Sequence, residues 1–226
     1  MRNKRRAVNL LDGENIRDWI WDELPPYASK HMEPTFSDHS PKAARSLIFA
    51  APNKWRGLIA LCAYWIGLPN PAYRNIVGEV WGHDHSQLMG DAKECRVDVR
   101  KIIAAADFPI PAKGPVSIYR GTAGIDPKTA SKGLSWTTSY ETACWFACAW
   151  RINTGKANPL VLKATTNPSE LIYWSNDREE VEVILRRPPL FEIDPHSRVW
   201  AGIARRVERA RHAELRRKLR HRKPES

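Results

Sequence analysis

Apolar positions recur at helical intervals through the first hundred residues and in short β-type runs after them, so the pattern predicts a mainly helical first half and a sheet-forming second. Residues up to about His39 read as irregular, with Pro25-Pro26 and Pro34 among polar neighbours and only Ile16 to Trp21 patterned for one or two helical turns. Ser40-Pro41 opens a helix, because proline suits a first turn. Helical spacing runs from Lys42 to Ile66 but is interrupted at Pro52, which predicts two helices. After the break at Gly67-Leu68-Pro69-Asn70-Pro71, Ala72 to Trp81 and Met89 to Ala106 read as two more, the second with Cys95, Val99, Ile102 and Ile103 on one side.

Beyond Asp107 the texture changes, and Pro109, Pro111, Gly114 and Pro115 mark the break. Val116 to Tyr119, Pro159 to Thr165, Leu171 to Trp174 and Glu180 to Leu185 suit strands. Between the first two lies a helix, Ser139 to Arg151, where Thr138 and Glu141 have the three-residue offset of a capping box. No internal repeat is present, which sets array architectures aside. The organisation expected is a helical region over 1–110, a core over 111–195 and a basic helix or tail over 196–226.

Composition adds that this is a folded protein: 226 residues suit one domain or two small ones, and a 42% hydrophobic content with ten tryptophans needs burial. The net charge of +11 points to an acidic partner, but eight of those charges lie in the last thirty residues, where eleven Lys and Arg face three Glu. The run Arg216-Arg217-Lys218-Leu219-Arg220-His221-Arg222-Lys223 suits contacts to RNA or DNA phosphates and equally a solvated helix end. The opening Met-Arg-Asn-Lys-Arg-Arg leads into no signal-peptide core, and Leu58 to Leu68 is too short to cross a bilayer. The expectation is a cytoplasmic protein, off the membrane, with Cys62, Cys95, Cys144 and Cys148 reduced.

Three segments carry candidate chemistry: Ser117-Ile118-Tyr119-Arg120-Gly121, Gly133-Leu134-Ser135-Trp136-Thr137, and Arg178-Glu179-Glu180-Val181-Glu182-Val183-Ile184-Leu185. Singly, each has an ordinary reading as a strand end, a helix cap or an edge strand with one wet face. In this order they resemble the Arg-Ser-Glu class of ADP-ribosyltransferases, the family of the arginine-modifying bacterial toxins, over about seventy residues from Val116 to Leu185. The fold this implies is α+β, a helical amino-terminal layer over a split, mostly antiparallel sheet of the ADP-ribosyltransferase type.

The resemblance also implies NAD as co-substrate and a role for each motif. Arg120 would hold the pyrophosphate, a guanidinium being a fixed fork of donors, with Gly121 allowing close backbone approach. Ser135, Trp136 and Thr137 would line the dinucleotide site, Ser135 also orienting Glu182. Glu182 would stabilise the positive charge that develops on the ribose as nicotinamide leaves. Glu180 shares a strand face with Glu182 and would serve the acceptor, while Val181 and Val183 point into the opposite layer. Tyr173 and Trp174 would contact the target from a recognition loop, or pack in the core beside an Asn176-Asp177 turn. Trp136 stands where the family has a small residue, and would stack on nicotinamide or crowd the site.

Neither a Walker glycine loop nor a dinucleotide glycine fingerprint is present, so NAD would need a non-Rossmann pocket. No metal site is expected: Cys144 and Cys148 share a helix face but read as core beside Trp145, Phe146 and Trp150, and His83-Asp84-His85 reads as a surface loop. Asn153-Thr154-Gly155-Lys156 reads as a turn. The functional expectation is a mono-ADP-ribosyltransferase acting on protein arginine or nucleic acid, in the manner of bacterial or phage toxins and host-modifying factors, with an antitoxin or immunity protein as a partner. The rival expectation is a basic nucleic-acid-binding protein without catalytic activity.

Overall fold

Helix α1, Gly13–Glu23, forms in the stretch that reads as mostly irregular, because Ile16, Ile20 and Leu24 recur every four residues and all three are buried. Two short helices follow, α2 (Pro26–Ser29) and α3 (Met32–Phe36), each placing apolar residues inside. The prolines therefore punctuate helices here and do not abolish them. The computed structural model describes residues 13–154, 158–176 and 180–220, which divide between Phe108 and Pro109 into two compact units.

The first unit continues as expected into α4 (Pro41–Ala50), where the Ser40 hydroxyl accepts from the Ala43 amide at 3.3 Å, and α5 (Asn53–Trp65) beyond Pro52. Helix α6, Ala72–Glu94, then runs through the His83-Asp84-His85 stretch, which is a helix kink and not a loop. Asp84 leaves helical geometry (φ −137°, ψ 35°), and Arg56 of α5 holds its carboxylate at 2.6 Å. Helix α7, Val99–Ala105, is the remainder of the stretch read as starting at Met89. The Tyr73 hydroxyl ties α6 to α7 by donating to the Ile102 carbonyl at 2.8 Å.

The second unit is built on one antiparallel sheet of six strands, β1 (Val116–Ala123), β2 (Ser135–Thr137), β3 (Pro159–Thr166), β4 (Leu171–Ser175), β5 (Glu182–Leu185) and β6 (Glu192–Ile193), in the order β4-β5-β2-β1-β3-β6. The α+β class is thus observed. The sheet is continuous where a split one was expected, yet it narrows sharply between β1 and β2. Those two strands pair only at Tyr119 opposite Thr137, whereas β1 and β3 pair along eight positions.

Helix α8, Pro127–Ser131, links β1 to β2, and Asp126 caps it by accepting from the Thr129 amide at 3.0 Å. Helix α9, Tyr140–Thr154, is capped by Ser139 and not by Thr138: the Ser139 hydroxyl accepts from the Thr142 amide at 3.1 Å and lies 3.4 Å from Glu141. Helix α10, Ser197–Arg220, completes the unit. Alternation along the strands gives the sheet two apolar faces. Ile118, Trp136, Leu160, Leu162, Leu171, Val183 and Leu185 form one core with Ala130 of α8. On the other, Val161 packs with Ala143, Cys144 and Ala147 of α9 and with Trp200 and Ile203 of α10. The small α9 residues let α10 lie close, and its buried Trp200, Ile203 and Ala204 fall at helical spacing. Beneath them Asp194 is a buried hub, accepting from Tyr140 Oη at 2.7 Å and Trp200 Nε1 at 2.5 Å.

Candidate active site

The narrow β1–β2 junction is where the Arg, Ser and Glu motifs meet. Ser135 opens β2 opposite Ile184, and Thr137 lies opposite Glu182, so β2 and β5 hold the serine and the glutamate on one short ladder. The Ser135 hydroxyl donates to Glu182 Oε1. Oε2 of Glu182 accepts no hydrogen bond among the described residues, so the bond fixes the carboxylate while leaving half of it available. Ser135 is exposed and Glu182 half-buried, which leaves the pair reachable.

Arg120 comes from β1, and its Nη1 donates to the backbone carbonyl of Ser135. Because β1 and β2 share a single paired position, that carbonyl is not consumed by their ladder. Burial lowers the guanidinium pKa from its ordinary value, and the negative charge of Glu182 acts in the opposite direction. Arg120 Nε is buried and, among the described residues, has no hydrogen-bond partner. A buried N–H without an acceptor is costly, so this is a donor for which an added oxygen would be favourable.

Space for the guanidinium comes from Gly133: a β-carbon there would overlap Arg120 Cζ, Nη2 and Nε. Sequence reasoning quoted this glycine with the serine motif but gave it no role; its partner lies thirteen residues back, and no local pattern reports such a contact.

Several candidates take other roles. Gly121 faces α9, where a β-carbon would run into the Ala143 carbonyl, so its absent side chain is what admits the helix. Trp136 points away from Ser135 into the sheet core, 2% exposed, and donates from Nε1 to the Gly133 carbonyl at 3.3 Å; it neither crowds the serine nor offers a ring to nicotinamide. Thr137 is buried, and its hydroxyl accepts from the Ser139 amide at 3.1 Å. Tyr173 is buried in β4 opposite Ile184, and Trp174 is half-buried against the same core as Trp136, so neither stands out as a target contact. Large aromatic rings gain most by burial, which is the physical reason.

Glu180 precedes β5, which begins at Glu182 and not at 180. Its carboxylate accepts from Arg211 Nη2 of α10 at 3.2 Å. Arg178 and Glu179, with Asp177, lie outside the described residues, as do residues 155 and 156 of the expected turn and 221–223 of the basic run.

Cys62, Cys95, Cys144 and Cys148 form no disulfide, and burial pushes the Cys62 and Cys144 thiols up to about 12. Among the described residues no cluster of three or more His, Cys, Asp and Glu is placed to hold a metal ion, and no helix is long and apolar enough to cross a membrane.

Together the junction offers a largely buried guanidinium with one unmet N–H, an accessible hydroxyl and a carboxylate steadied by that hydroxyl. Such a set can grip an anion and stabilise positive charge beside it. No protein-family model matches the chain, and the search of curated proteins and of solved structures gives no match either.

Proposed function

We propose that the protein is a mono-ADP-ribosyltransferase that uses NAD and passes ADP-ribose to a macromolecular acceptor. The observation that carries this reading is the convergence on Ser135: its hydroxyl bonds Glu182 and its carbonyl receives Arg120. The donor set fits the dinucleotide, since the unmet Arg120 Nε–H suits a phosphate oxygen and a guanidinium stays charged at working pH.

NAD supplies an activated glycosidic bond whose nicotinamide leaves as a neutral base. Glu182 would face the ribose carbon and stabilise the positive charge that grows there, a task worth about a hundredfold or more in rate when done by a fixed group. Ser135 holds the carboxylate in one orientation, so no solvent reorganisation is needed. Glu180 would take the proton given up by an acceptor nitrogen, which belongs to the same reading, as do the toxin-like role, a cytoplasmic setting and an antitoxin partner.

The test is nicotinamide release from NAD by the purified chain, with labelled ADP-ribose followed onto lysate protein and RNA. Glu182→Gln should abolish both while circular dichroism stays unchanged. Full activity in that variant defeats the mechanism, and a wild-type chain that releases no nicotinamide defeats the reading.

A specific observation also favours nucleic acid as partner. Arg198, Arg205, Arg209 and Arg216, all exposed, are spaced seven, four and seven apart and so form one stripe along α10, opposite buried Trp200, Ile203 and half-buried Val207. The stripe is about 27 Å long at 1.5 Å per residue. On the rival reading this stripe is the functional part. Replacing Arg205, Arg209 and Arg216 by Gln should then flatten the salt dependence of RNA binding and remove every cellular effect, with Glu182→Gln silent.

A further inference from the structure

The guanidinium that meets Glu180 belongs to the chain itself. Arg211 Nη2 donates to Glu180 Oε2 at 3.2 Å, and the Arg211 Cζ stands 4.1 Å from the centre of the Trp145 ring. Trp145 is held in turn, its indole Nε1 donating to Glu208 Oε2 at 2.7 Å and its ring centre lying 4.9 Å from that of Phe146 in an edge-to-face arrangement. An aromatic face with a carboxylate at its rim is the combination that recognises a guanidinium, through cation–π attraction and a charge-assisted hydrogen bond. The parts come from three places, Trp145 on α9, Glu180 before β5 and Arg211 on α10.

We propose that Trp145 and Glu180 form a guanidinium-binding site which Arg211 fills from within the chain, and which an external guanidinium enters by displacing it. Three features make Arg211 a replaceable occupant. It uses one hydrogen bond to Glu180, where a fully engaged guanidinium makes two parallel ones. Its side chain is 37% exposed against 19% for Glu180, so it has a route to water. And α10 does not depend on it for docking, because buried Trp200, Ile203 and Ala204 anchor the helix two turns earlier. Swapping one guanidinium for another leaves the charge of the site unchanged. The proposal rests on the transferase reading only in naming the external ligand: since Glu180 lies two residues before Glu182, that ligand would be an acceptor arginine, and α10 would then restrain transfer until it is displaced.

Agmatine, a small guanidine, tests the site without NAD. The indole N–H signal of Trp145, assigned with Trp145→Phe, is followed by NMR as agmatine is added to the full-length wild type, Arg211→Ala and Arg211→Gln. Both variants should bind with midpoints at least tenfold lower than wild type, because a tethered competitor acts at an effective concentration of about millimolar. Butylamine, which has a charge but no fork, should leave the signal in place. Absence of an agmatine shift in folded Arg211→Ala and Arg211→Gln, an equal midpoint in wild type, or an equal response to butylamine overturns the proposal. Agmatine binding in a chain that releases no nicotinamide from NAD would keep the guanidinium site and remove only its link to transfer.

Discussion

Gly133→Ala separates the candidate site from the fold more cleanly than any loss of a catalytic side chain. Gly133 lies outside helix and strand and has no positive φ, so alanine is allowed by its backbone. The added methyl would overlap Arg120 Cζ, Nη2 and Nε, the far end of a flexible side chain, and it is the arginine that must move. Global stability should therefore fall by no more than about 3 kcal/mol, the worth of the one charge-assisted hydrogen bond that the guanidinium makes, so the chain stays folded. Displacement removes the bond to the Ser135 carbonyl and shifts the unmet Nε–H, which on the proposed reading would meet a phosphate oxygen. A charge-assisted hydrogen bond contributes about 1.5–3 kcal/mol, so NAD affinity and kcat/KM should fall roughly ten- to a hundredfold. Calorimetric titration with NAD and nicotinamide release measure the two quantities on the same preparation. Wild-type values for both, in a variant that remains folded, would refute the assignment of Arg120 as the dinucleotide anchor.

Three other outcomes are expected. Ser135→Ala should lower kcat by roughly ten- to a hundredfold with little change in KM, because it frees the Glu182 carboxylate, and an unchanged kcat in nicotinamide release would count against Ser135 as its positioning residue. Gly121→Ala should destabilise the second unit by about 1–3 kcal/mol or more in urea, since its methyl meets the Ala143 backbone, which cannot swing aside; a neutral result would contradict the close β1–α9 contact. The buried thiols should make alkaline pH destabilising. Cys62 and Cys144 titrate near 12 when folded against 9 when exposed, so stability from their burial is complete below pH 9 and is lost as pH rises from 9 to 12. Both should resist iodoacetamide at pH 8, and Cys62→Ala should flatten the alkaline decline; rapid alkylation of Cys62 or Cys144 in the folded chain would contradict it.

Elements set by local chemistry were legible in the sequence. Ser40 and Pro41 start α4, Pro52 separates it from α5, and β3 and β4 fall where their apolar, β-branched and aromatic residues suggest. What depends on remote partners was not. Asp84 kinks α6 because Arg56, 28 residues earlier, holds its carboxylate. Glycines 121 and 133 look alike in sequence, yet one admits a helix and the other a guanidinium. In the site itself, Arg120, Ser135 and Glu182 were named from their order along the chain, and the geometry brings them together. The aromatics were harder: Trp136 and Tyr173 sit beside the motifs but are drawn into the core by their size. Arg211 escaped notice because its run of like charges gives no reason to single it out from its neighbours.

The single rung between β1 and β2 divides the machinery between two leaves. Arg120 travels with the long β1–β3 ladder, while Ser135 and Glu182 travel with β2, β5 and β4. A slight twist of one leaf against the other would change the gap between guanidinium and carboxylate without disturbing the bond between Ser135 and Glu182, since both of those residues lie on the β2–β5 ladder. Tyr119 and Thr137, paired on that rung, therefore govern how the two leaves meet, although neither is one of the three motif side chains.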